Sequence, residues 1–135
     1  MWEFIYDQAE DLDFSGSFEV FSTASRICNA GQPFNVFLVG ETGGTVLARG
    51  GYRVIPAYGF HDQAKIDVLI DAGGVHSQEM AKGQVLEWIA QQAKKAKLVT
   101  SVCTGGFLLA AAGVLTSENV TTHWEDIADL GVCRI

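Results

Sequence analysis

The stretch that decides the fold is Leu98-Val99-Thr100-Ser101-Val102-Cys103-Thr104-Gly105-Gly106-Phe107. An apolar, β-prone run leads straight into a cysteine. Two glycines follow one residue later, and an apolar, Ala-rich stretch (Phe107 to Leu115, with Gly113 near its end) continues from there. A strand that turns sharply into a buried helix has this shape, and a nucleophile elbow is one instance of it. Small residues must follow the turn. The sulfur would then stand at a helix N-terminus, where unpaired N–H groups favour a thiolate. A cysteine buried at a strand end gives the same pattern. The spacing alone does not choose between the two.

Working outward, Asp67 to Ile70 is a second buried-strand signature, and it ends in Asp71-Ala72-Gly73-Gly74. Phe4-Ile5-Tyr6 is a candidate first strand, and residues 13–28 carry the apolar spacing of an amphipathic helix. Phe34 to Val39 reads as a strand and Thr42-Gly43-Gly44 as a turn. Val46 onward reads as an extended segment interrupted at Gly50-Gly51 and resumed at Val54-Ile55. Residues 78–95 predict a helix with Lys94 and Lys95 at its C-terminal end. Strands that are continuous apolar runs, alternating with helices, predict a parallel sheet covered on both faces. The expected fold is therefore α/β, a doubly wound, mostly parallel sheet sandwiched by helices, in one domain over residues 1–135.

Composition narrows the function. Of 135 residues 48% are hydrophobic, which supplies a core and argues against disorder. The formal charge of −7 and the lack of a basic patch argue against nucleic acid as a partner. No apolar run has the length of a membrane span, and Met1-Trp2-Glu3 lacks the basic start of a signal peptide. Cys28, Cys103 and Cys133 are too scattered for a disulfide scaffold or a zinc site, so a reducing, cytoplasmic setting and no metal are expected.

Four segments are candidates for chemistry. Cys103 with Thr104 is the first. At Gly73-Gly74, glycines at a strand's carboxyl end let backbone N–H groups approach an anion, although an ordinary βα turn explains them equally well. In Glu10-Asp11-Leu12-Asp13-Phe14, Asp13 either caps the helix or reaches the sulfur. In Thr121-Thr122-His123-Trp124, His123 is a lone histidine, a type more often structural than catalytic. Gly40 to Thr45 lacks the Gly-Lys-Ser/Thr of a phosphate loop and reads as a hairpin turn. His61 and His76 read as solvated loop residues and Cys28 as helix packing. Cys133 lies in a tail without a pattern.

Taken together these blocks resemble the ThiJ/PfpI superfamily, whose fold is flavodoxin-like and shared with class I glutamine amidotransferases. The matching residues are Glu10 to Gly16 with Glu19-Val20-Phe21; Thr42-Gly43-Gly44 with Ala48-Arg49-Gly50-Gly51; Asp67 to Ile70 with Gly73-Gly74; Ser101-Val102-Cys103-Thr104-Gly105; and Ala111 to Leu115 with Thr121 to Trp124. The Ser-Val-Cys-Thr-Gly and Thr-Thr-His-Trp pair is most similar to two branches. They are the isonitrile hydratases and the amidotransferase-like domain of AraC-type transcription regulators. The resemblance implies Cys103 as nucleophile, Asp13 as its acid and His123 near the thiol. It also implies an oxyanion-type pocket made by the N–H groups of Gly74 and Thr104, with Gly73 and Gly105 beside it.

Several positions depart from the family pattern. Thr104 stands where the PfpI proteases carry His, Gln8 where Gly is common and Ser17 where Pro is common. Family domains continue past Thr-Thr-His-Trp for some tens of residues, so the last strands and closing helix are expected to be lacking. The implied activities are isonitrile hydration, with glyoxalase, deglycase or amidase chemistry or a non-enzymatic ligand or redox sensor as alternatives. The implied partners are a small-molecule substrate, no organic cofactor, and a second copy of the chain in a homodimer.

Overall fold

The first strand, β1, is Trp2–Phe4, and it is the inner strand around which the sheet is built. In the computed structural model, which describes residues 1–28, 31, 33–62, 65–116 and 119–132, β1 pairs in parallel with β2 (Phe37–Val39) on one side and β5 (Val68–Asp71) on the other. The outer strand β6 (Leu98–Ser101) extends the parallel order to β2-β1-β5-β6. The expected strand Phe4 to Tyr6 is thus shifted toward the N-terminus. Tyr6 has left the ladder, and its hydroxyl donates to Ala72 O at 3.2 Å.

Both faces of the sheet are covered. Trp2 and Phe4 point to one face, where Phe4 meets Trp88 of α3 (Gly83–Ala93) at a ring-centroid separation of 5.7 Å and Phe60 stacks on Trp88 at 4.2 Å. Glu3 points to the other face, toward α1 (Asp11–Ile27), whose Ser17 hydroxyl donates to it. Strand alternation sends successive side chains to opposite faces, which is how three residues serve two helical layers. The chain runs outward from β1 to β2 and returns to the far side of β1 with β5. A crevice opens at the carboxyl ends of β1 and β5, where the winding reverses.

Two expectations are corrected. Gly40 to Thr45 is not a hairpin turn, because β2 pairs with β1 and leaves that loop without an antiparallel partner. The hairpin lies further on, between β3 (Val46–Leu47) and β4 (Arg53–Val54), closed by Ala48 N–H to Tyr52 O at 3.0 Å with Gly51 at φ 94°. The Gly50-Gly51 pair is therefore the turn itself. The single helix expected over 78–95 is two helices, α2 (Ser77–Met80) and α3. Lys82 is extended between them, held by Glu79 and Glu41 at 2.9 Å each.

Helix α4 (Gly105–Ala111) begins two residues earlier than its apolar run suggests and stops at a glycine C-cap. Gly113 at φ 69° lets its N–H reach Ala110 O and lets Val114 N–H reach Leu109 O. Phe107, Leu108 and Leu109 are buried, each contributing about 1.5–3 kcal/mol, and this holds the start of α4 in place behind Cys103. The last described elements are a 3-10 turn, Trp124–Asp126, and α5 (Ile127–Val132). Cys133 lies outside the described residues. Cys28 is half-buried at the end of α1, its N–H donating to Ala24 O.

Candidate active site around Cys103

The strand-to-helix turn is as sharp as an elbow requires. Cys103 sits at φ 52°, the left-handed region that L-residues avoid. It is a free, half-buried thiol. Val102 N–H donates to Asp71 O and Gly105 N–H to Val102 O, which pins the turn on both sides. The backbone holds a conformation that sequence propensity opposes, as is common at functional sites.

Gly73 is the point where the site converges. A Cβ placed on it would stand 2.6 Å from Asp13 Oδ2, 2.7 Å from Thr104 N and 2.9 Å from Cys103 Cβ. No side chain fits there, so the acid and the thiol approach the same backbone atom from α1 and from the elbow. Asp13 Oδ2 accepts from Gly73 N–H at 3.1 Å. Asp13 lies in the first turn of α1 and is not its cap; Glu10 occupies that position without a side-chain capping bond. The loop after β1 is zipped to the turn after β5 by Glu10 N–H to Gly73 O and Val75 N–H to Gln8 O. Gln8 takes φ 69° there, which explains the family's glycine at this position. Ser17, standing where Pro is common, uses its hydroxyl on Glu3 and on Asp13 O.

The backbone donors expected to form an oxyanion pocket are already engaged. Gly73 N–H is held by Asp13. Gly74, at φ 133°, donates to Thr104 Oγ1 at 2.9 Å, and the same hydroxyl donates back to Gly74 O at 3.0 Å. Gly105 gives its N–H to Val102 O, and it must be glycine because any side chain would strike Asp71 O. Thr104 N–H is directed at the sulfur. Gly73, Gly74 and Gly105 thus shape the site by close approach, and their own N–H groups are engaged by Asp13, Thr104 and Val102.

The expected standing thiolate is also corrected. Burial pushes the Cys103 thiol up, and the Asp13 carboxylate pushes it further, while the Thr104 N–H and hydroxyl act the other way. Asp13 is itself raised, mainly by burial, against the opposing Gly73 N–H. The two groups stand side by side, and each is shifted toward its protonated form.

Cys103, Asp13, Thr104, Gly74 and His123 line one cavity of about 530 Å³. His123 Nε2 lies 3.4 Å from Glu125 Oε2 on the same wall. Two contributors were not singled out from the sequence. His76, expected in solvent, is half-buried, stacks on Phe107 at 4.6 Å and lines the cavity. Thr122 donates to Cys103 O at 2.9 Å and so ties the elbow to the His123 segment. Its place beside His123 in the quoted motif was the available signal. Among the described residues no group of three or more His, Cys, Asp or Glu side chains is arranged to hold a metal, and no helix is long and apolar enough to cross a membrane.

The sequence profile of the DJ-1/PfpI family matches residues 3–132. The chain belongs to the DJ-1/PfpI family. Within the family, isonitrile hydratase of Pseudomonas putida is 33% identical over 121 residues, covering 89% of this chain and 50% of that protein. The HTH-type transcriptional regulator GbdR of Pseudomonas aeruginosa is 31% identical over 86 residues, 64% of this chain and 23% of the regulator. The crystal structure of a ThiJ/PfpI family protein from Pseudomonas syringae matches with a TM-score of 0.82 at 23% identity, covering 100% of this chain and 55% of that one. The parallel α/β fold of the DJ-1/PfpI family is therefore shared, and this chain spans about half the length of the hydratase.

Proposed function

We propose that this DJ-1/PfpI chain carries a cysteine-dependent hydratase site for small isonitriles, with Cys103 as nucleophile and Asp13 as proton carrier. The supporting observation is that the N–H groups of Gly73, Gly74 and Gly105 beside the sulfur are already engaged. Amide hydrolysis and attack on an aldehyde place negative charge on oxygen, and that charge needs free N–H donors within reach. Attack on the terminal carbon of R–N≡C places the electron pair on carbon, where a proton is needed instead. Asp13, raised and beside the thiol, supplies that proton.

The reaction then runs as follows. Asp13 takes the thiol proton as sulfur bonds to the isonitrile carbon. It returns that proton to the same carbon, giving the thioimidate R–N=CH–S–Cys103. Water adds its hydroxyl to this carbon and a proton to nitrogen. Loss of the sulfur, with the hydroxyl proton passed back through Asp13, leaves R–NH–CHO and the free thiol. His123 and His76 line the chamber in which water enters. A homodimer, as in other family members, is the proposed assembly, and light scattering measures it.

The test is a panel of cyclohexyl isocyanide, methylglyoxal and a small amide, with products identified by mass spectrometry. Formamide should form with the parent protein and be lost in Cys103→Ala, whose circular dichroism should match the parent. Cys103-dependent consumption of methylglyoxal or amide with no formamide would sink the proposal. A ligand-sensing role is supported by the likeness to GbdR.

A further inference from the structure

The wall of the thiol cavity is unbalanced in charge. Glu10, Asp13, Glu125 and Asp126 line it, and Arg49 is its one guanidinium or ammonium group among the described residues. Arg49 is already matched by Glu10 at 3.1 Å. That leaves the acidic pair on the 3-10 turn, with the imidazoles of His123, beside Glu125, and His76 as the neutralising groups on the wall. The remaining lining includes the apolar Leu12 and Val75, both exposed at the mouth.

A concave site with low-dielectric walls concentrates the field of its charges and changes the local concentration of charged molecules. A carboxylate entering this one loses water and meets like charge, while Arg49 is held by Glu10 and the Gly73 and Gly74 N–H groups are held by Asp13 and Thr104. We infer that the cavity selects small electrophiles by charge. Uncharged and cationic molecules with an apolar body reach Cys103, and anionic ones are turned away. Glu125 and Asp126 are the residues that set this preference. The inference deepens the substrate reading of the same cavity and rests on that reading for its isonitrile arm alone.

The experiment uses the full chain with Cys28→Ser and Cys133→Ser, so that Cys103 is the sole thiol. Rates of modification are measured with two methanethiosulfonates of equal size, one bearing trimethylammonium and one bearing sulfonate. In each case the thiolate sulfur forms a mixed disulfide and methanesulfinate leaves. Relative to the same ratio for 2-mercaptoethanol, the cationic reagent should be favoured by about tenfold or more. The preference should shrink toward unity in Glu125→Gln/Asp126→Asn and in about 0.5 M salt. Both side chains are at least partly exposed, so this variant should keep the parent's circular dichroism. A ratio equal to that of the free thiol, or no reaction with either reagent, overturns the inference.

The second arm compares kcat/KM for cyclohexyl isocyanide with that for isocyanoacetate, which should be the poorer substrate. If neither is hydrated while the reagent ratio stays high, the hydratase proposal falls and charge selection stands. If isocyanoacetate is the better substrate, charge selection falls and the hydratase proposal stands.

Discussion

Asp13 and Cys103 each hold a proton more tightly than an isolated side chain does: burial raises both, the Asp13 carboxylate raises the thiol further, and Glu10 raises Asp13 while the thiol's hydrogen bond lowers it. Removing Asp13 should therefore release the thiol. In Asp13→Asn the carboxylate's repulsion is gone, and the thiol pKa should fall toward the value set by burial and the Thr104 donors. The pH dependence of Cys103 alkylation, in the Cys28→Ser/Cys133→Ser background, measures this. A thiol that titrates at the same pH or higher in the variant contradicts the account. The same variant should lose most of its formamide-forming activity, since a more ionised sulfur still lacks the group that protonates carbon.

The site depends on three elements reaching one backbone atom. The first turn of α1 delivers Asp13, the turn after β5 presents Gly73, and the elbow after β6 brings Cys103 and Thr104. Gly73→Ala puts a methyl where Asp13 Oδ2, Thr104 N and Cys103 Cβ already stand at 2.6–2.9 Å. Overpacking of this kind costs about 1–3 kcal/mol. The expected outcome is a lower melting temperature together with loss of Cys103-dependent activity. A variant with parent-like stability and turnover would show that the convergence is not needed. Helix α4 makes the complementary point. Its start is fixed by the packing of Gly105 against Asp71 O, a contact between strand and helix that no helical periodicity encodes.

Across the molecule, two carboxyls are sealed in the sheet. Asp71 is fully buried with no hydrogen-bond partner for either oxygen among the described residues, and burial raises it to about 8. Glu3 is fully buried with one oxygen on Ser17, and burial again raises it to about 8. Both folded values lie above the unfolded ones, so each group's stabilising contribution is complete only below about pH 4, where the unfolded carboxyls are also protonated. It is lost progressively as pH rises to about 8. Folding stability should therefore decline between about pH 4 and 8, by an order of 3–5 kcal/mol per group at most. Asp71→Asn should remove much of that slope and raise the melting temperature more at pH 8 than at pH 4. Parallel melting curves for parent and variant across this range would rule the explanation out. Glu3→Gln should act in the same direction, less strongly, because its Ser17 bond partly compensates.

The strand–helix alternation, the apolar runs of β5 and β6, and the small residues after Cys103 are local patterns, and they marked a parallel α/β sheet and its elbow without coordinates. Propensity and spacing act over a few residues, so they carried that far and no further. They misassigned the hairpin, because which glycine turn pairs two strands depends on what β1 claims first. They missed His76, because a ring in a loop gives no sign that Phe107, 31 positions later, will lie against it. The meeting of Asp13 with Gly73 spans 60 residues of chain, and only the folded sheet brings them within 3.1 Å. The upward shift of the thiol, the engagement of the Gly73 and Gly74 N–H groups and the acidic lining of the cavity were likewise decided in three dimensions. Each is set by desolvation and through-space charge, quantities that do not exist until distant segments are packed together.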